Sequence, residues 1–80
     1  GLGAVPSAWN TDYKNTDGKT STFFGRVGSN QTGIAENAFR NSSGTWSYTT
    51  NGTAHRFELD NGNFFWYSAP SGLAGAQADF

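Results

Sequence analysis

From residue 34 onward, short runs of strand-forming residues are separated by polar turn signals about ten residues apart: Asn41-Ser42-Ser43-Gly44, Asn51-Gly52 and Asp60-Asn61-Gly62-Asn63. Asn-Gly between extended runs is a strong hairpin signal, because a type I′ turn needs positive φ at both central residues. Two-residue turns at Asn51-Gly52 and Asn61-Gly62 pair Tyr48 with His55, Trp46 with Phe57, Leu59 with Phe64 and Phe57 with Trp66. A four-residue loop over 41–44 pairs Phe39 with Trp46. Side chains alternate between faces along a strand. The three registers therefore agree on one aromatic row, Phe39–Trp46–Phe57–Trp66. Tyr48 and His55 flank it on one side, and Leu59 and Phe64 on the other. The opposite face collects Ala38, Ser47, Ala54, Arg56, Glu58, Phe65 and Tyr67, with Arg56 beside Tyr67.

Upstream the pattern is less regular. Residues 1–22 read as a loop-rich lead-in, in which Trp9 and Tyr13 are spaced to share one face of a helical turn over 8–14, with Ser7 as its cap. A short strand is predicted over 22–27, followed by a Gly/Ser/Asn/Gln loop over 28–33. Residues 69–80 read as irregular, since Pro70, Gly72 and Gly75 interrupt any helix. The expectation is a single all-β module with its β region over 23–68: an antiparallel four-stranded meander over 37–68, preceded by a short extra N-terminal strand. A four-stranded sheet with an aromatic face needs a second layer. That layer is expected from Phe23, Phe24 and Val27, from further copies of the chain, or from both.

Composition supports the β reading. Of 80 residues, 36 are Gly, Ser, Thr or Asn, 13 are aromatic and only six are Leu, Ile or Val. A net charge of −1 without clusters of either sign lacks the basic stripe of a nucleic-acid binder. No apolar run reaches membrane-spanning length. The absence of cysteine removes disulfides and thiolate metal sites, and a lone His55 removes multi-histidine sites. The chain opens on Gly1 and contains no methionine, which suggests a piece of a longer polypeptide.

Local motifs add no chemistry. Gly18-Lys19-Thr20 lacks the upstream glycine and strand of a phosphate loop, and Asn15-x-Asp17-Gly18 would put Tyr13 and Phe24 at calcium-ligand positions. His55 and Glu58 fall on opposite faces, so they share no substrate, and Asp60 opens a turn. Neither a nucleophile elbow nor a glycosidase-type carboxylate pair occurs. His55 is expected to partner Tyr48. No catalytic residue, metal or cofactor is expected. The three Asn-x-Ser/Thr sequons, at Asn30, Asn41 and Asn51, match what chance yields in such a composition. The run Phe64-Phe65-Trp66-Tyr67 reads either as a stacking platform for sugars or as a strand buried on both faces at a subunit contact.

Several segments taken together carry a resemblance: Pro6-Ser7-Ala8-Trp9-Asn10-x-x-Tyr13-Lys14, Glu36-Asn37-Ala38-Phe39, Gly44-Thr45-Trp46-Ser47-Tyr48, Gly52-Thr53-Ala54-His55-Arg56-Phe57-Glu58, and Trp66-Tyr67-Ser68-Ala69-Pro70-Ser71-Gly72-Leu73-Ala74-Gly75-Ala76. The pattern resembles a recurrent β-rich module of tailed-bacteriophage tail fibre and tailspike proteins. Asn15 to Thr22 departs from it, where a more apolar stretch is expected. The resemblance implies a homotrimeric, prism-like fibre segment on the virion, outside the cell, that serves host adsorption and contacts other tail proteins. It implies no catalytic residues. The core and trimer contact would then comprise Phe39, Trp46, Phe57, Trp66, Leu59 and Phe64. Any host glycan would meet Tyr67, Phe65 and Arg56 on the mixed face. The rival readings are an autonomous carbohydrate-binding β-sandwich module of a secreted protein, and a glycan hydrolase whose site forms between chains.

Overall fold

The computed structural model describes residues 8–18 and 20–80, which contain strands and turns but no helix. The Ser7 cap and Lys19 of the Gly-Lys-Thr motif lie outside the described residues. Seven strands run β1 (Tyr13–Asp17), β2 (Ser21–Arg26), β3 (Gln31–Glu36), β4 (Ala38–Arg40), β5 (Trp46–Tyr48), β6 (Gly52–Asp60) and β7 (Asn63–Gly72). All pairings are antiparallel. Five strands form one sheet in the order β1-β2-β3-β6-β7, and β4 and β5 form a separate hairpin.

The all-β, antiparallel expectation holds, but the four-stranded meander does not. The Asn61-Gly62 turn forms as expected: both residues have positive φ (49° and 87°), and Phe57 pairs with Trp66 and Leu59 with Phe64. At Asn51-Gly52 no hairpin forms. Trp46 faces Arg40 instead of Phe57, and β6 pairs with β3, so that Phe57 lies beside Ile34. The loop after β4 takes one residue more than expected, because the Asn41 side chain accepts bonds from the amides of Ser43 and Thr45 while its own amide group donates to the hydroxyls of Thr45 and Ser47. Phe39 consequently pairs with Ser47, and a one-residue slip moves every side chain of a strand to its other face. No helix forms over 8–14, where β1 begins at Tyr13, and the loop predicted over 28–33 ends early because β3 begins at Gln31. Residues 69–72 extend β7. Beyond the strand, the backbone of Tyr48 bonds to Gly75 and Ala76, and the carbonyl of Trp46 to Ala78, so the C-terminal segment runs alongside β5.

The β4–β5 hairpin and this C-terminal segment make a second layer over one face of the sheet. Tyr13, Phe24, Ala35, Ala54 and Ala69 of the sheet are buried against Ala38, Trp46, Tyr48 and Ala78. With so few aliphatic residues, the core is made of rings set over small residues. Trp46 packs edge-on against Phe24 (5.4 Å), Trp9 (5.7 Å) and Phe80 (6.0 Å). The Tyr48 ring lies on Gly72, where a Cβ would meet it at 2.2 Å, and the Phe24 ring lies on Gly33. Its low β propensity makes Gly33 look like a loop residue, yet the strand needs it so that a ring can approach the backbone.

Asn37 joins the two layers. It sits buried between β3 and β4 with φ 57°, a left-handed conformation that asparagine tolerates better than most residues. Its side-chain NH2 donates to the carbonyls of Thr50 (3.1 Å) and Thr53 (2.9 Å), and its Oδ1 accepts from the amide and hydroxyl of Thr50. This one side chain fixes the chain where it leaves the sheet and where it returns.

Candidate functional site

The second layer covers one face of the five-stranded sheet, and among the described residues nothing covers the other. Strand alternation and register lay three rows across this outer face. The central row is Thr16–Phe23–Ile34–Phe57–Trp66, unbroken across all five strands. Beside it run Lys14–Gly25–Thr32–Leu59–Phe64 on one side and the polar Ser21–Glu36–His55–Ser68 on the other. Phe23 is 65% exposed, Ile34 46%, Leu59 41%, Phe64 72% and Trp66 79%. Phe57 is half-buried because Trp66 leans on it, with ring centroids 4.2 Å apart, while Phe64 stacks nearly parallel to it at 6.4 Å.

A shallow groove of about 560 Å³ runs along this surface beside Ile34, Phe57, Trp66, Glu36 and His55. His55 Nδ1 and Glu36 Oε1 lie 2.8 Å apart at its polar rim, and both side chains are exposed. Glu36, on β3, therefore takes the place expected for Tyr48 as the neighbour of His55. Tyr48 instead lies in the second layer, its hydroxyl donating to the Pro70 carbonyl.

Of Phe39, Trp46, Phe57, Trp66, Leu59 and Phe64, read from the sequence as core or trimer contact, only Trp46 is buried within the chain, and it lies in the second layer rather than in the row. Phe39 and Phe57 are half-buried, while Leu59, Phe64 and Trp66 stand on the open face. The mixed face, expected to be exposed and to hold glycan, is the inward one. Arg56 donates from Nη1 to Glu58 Oε2, and the two side chains are only 12% and 3% exposed. Gln31 donates to the other Glu58 oxygen at 2.8 Å. The guanidinium lies 3.7 Å from the Tyr67 ring centroid, 4.7 Å from that of Phe80 and 4.8 Å from that of Trp46. Tyr67, Phe65 and Arg56 are part-buried and engaged in intramolecular contacts. Charge drew attention to this face, but Arg56 and Glu58 neutralise each other and can be covered by rings.

The apolar residues Ile34 and Phe23 of the outer face, and Glu36 at its polar rim, were not singled out as functional from sequence. The alternation of Ile34 and Phe23 with Ala35 and with Thr22 and Phe24 was legible, but their place beside Phe57 depends on the long-range pairing of β3 with β6. His55 and Glu58 lie on opposite faces of β6, as the alternation indicates. Among the described residues no group of three or more His, Cys, Asp or Glu could hold a metal ion. No family model, curated protein or solved structure matches the chain.

Proposed function

We propose that the chain is a non-enzymatic structural segment of a trimeric bacteriophage tail fibre or tailspike, whose principal partners are its own sister copies and neighbouring tail proteins, and which serves host adsorption from the virion surface. The observation that carries this reading is the one-sided sheet: among the described residues, no layer covers the unbroken row from Phe23 to Trp66. Apolar patches of this extent on soluble proteins mark interaction surfaces. The sequence resemblance supplies the fibre context and the number three.

The test is sedimentation equilibrium of the 80-residue chain across a wide concentration range. A species of three times 8.6 kDa, with an unfolding midpoint that rises with concentration, is the expected result. A folded monomer at every concentration overturns the reading. That outcome would favour the carbohydrate-binding alternative, because Trp66 and Phe64 are exposed rings beside the hydrogen-bonding Glu36–His55 pair.

A further inference from the structure

Two surfaces of a β module can join it to a copy of itself, the edges of its sheet and the face of its sheet. The edges here are poorly suited to strand addition. β7, one edge, carries Pro70, which has no amide hydrogen to donate, and the Pro70 carbonyl is already bonded to the Tyr48 hydroxyl. β1, the other edge, is only five residues long and carries Lys14. The outer face is the opposite case. Phe23, Phe64 and Trp66 are 65–79% exposed. With Ile34 and Leu59 they offer on the order of 500–600 Å² of apolar surface, taking about 150–250 Å² for each aromatic side chain. A stable interface takes about 800 Å² from each partner, apolar at its centre and polar at its rim. The two flanking rows, with Thr32 and Lys14 on one side and Glu36, His55 and Ser68 on the other, supply that rim.

We infer that sister copies meet through the outer faces of their five-stranded sheets, with the Ile34–Phe57–Trp66 row at the centre of the contact, and that strand edges take no part. Around a three-fold axis the outer face of each copy meets the same face of its two sisters, and rings that lie against rings of their own chain extend the same stacking across the contact. This rests on the self-assembly proposed above and specifies the surface that carries it.

The chain has no cysteine, so any introduced thiol stands alone and reports its own surroundings. Ile34→Cys places one at the centre of the row, and Ser71→Cys places one on the exposed edge strand β7. With a short bismaleimide reagent, Ile34→Cys should cross-link into covalent dimers within the assembly while Ser71→Cys stays uncoupled. As a second measurement, Trp66→Lys should weaken association at least 100-fold. Leu73→Lys, which replaces an equally exposed apolar residue in the turn after β7, should leave association within about threefold of the parent. An assembled parent that cross-links at Ser71 but not at Ile34, or whose association is indifferent to Trp66→Lys, overturns the face assignment while self-assembly stands. A parent that never assembles overturns both.

Discussion

At the level of single residues, the fold depends on side chains that carry no functional signature. Asn37 is the foremost example. Truncating it to alanine strands the carbonyls of Thr50 and Thr53 and the Thr50 amide, and leaves a Cβ residue with positive φ. Asn37→Ala should therefore cost about 2–4 kcal/mol, read as a lowered urea midpoint. Gly72 and Gly44 separate two reasons for glycine. Gly72→Ala drives a methyl into the Tyr48 ring and should cost about 2–3 kcal/mol. Gly44→Ala meets no atom within 4 Å and has only its φ of 83° to contend with, so it should cost about 1–2 kcal/mol. A Gly72→Ala loss near zero in urea unfolding would show that the Tyr48 contact contributes nothing. The inward ion pair obeys a different logic. Glu58→Met leaves the Arg56 guanidinium unpaired among Trp46, Tyr67 and Phe80, at a cost of about 3–5 kcal/mol. The double change Arg56→Met with Glu58→Met should recover much of that, a coupling that a double-mutant cycle measures directly.

Among the elements, the hairpins differ in how local their determinants are. β6–β7 is closed by Asn61 and Gly62 in a turn whose twist matches its strands, so its register could be read from the sequence. Gly62→Val should destabilise it by about 1 kcal/mol or more, visible as faster amide exchange in Asn63 and Phe64 before the rest of the sheet. The β4–β5 loop looked like four residues, but the Asn41 side chain spans to Thr45 and adds a fifth. That hydrogen bond depends on side-chain geometry and leaves no mark in the hydrophobic pattern. β3 was missed because Gln31, Thr32 and Gly33 read as a turn. The strand exists because its neighbours β2 and β6 pair with it on both sides, and its glycine accommodates the Phe24 ring.

For the whole molecule, the central fact is that one layer covers one face. Burying small residues under rings closes the inward side within a single chain of 80 residues. The outward side remains apolar from Phe23 to Trp66. A folded chain diluted far below its dissociation constant should expose this face, raising the binding of a hydrophobic dye and shifting Trp66 fluorescence to longer wavelength, whereas Leu73→Lys should change neither response.

The sequence by itself determined the β class, the Asn61-Gly62 hairpin, the alternation that puts Phe57, Leu59, Phe64 and Trp66 on one side of the sheet, and the opposition of His55 to Glu58 across β6. All of these follow from backbone geometry within a strand or a short turn, which the residues in question specify alone. Only the tertiary structure decided which side of the sheet is covered and which strands are neighbours. Polarity favoured the aromatic row as the interior. The β4–β5 hairpin instead closes over the mixed face, where Arg56 and Glu58 satisfy each other, and where the alanines and glycines leave room for Trp46 and Tyr48. Covering a face is a property of the volumes and paired charges of residues far apart in the chain, which no local pattern records.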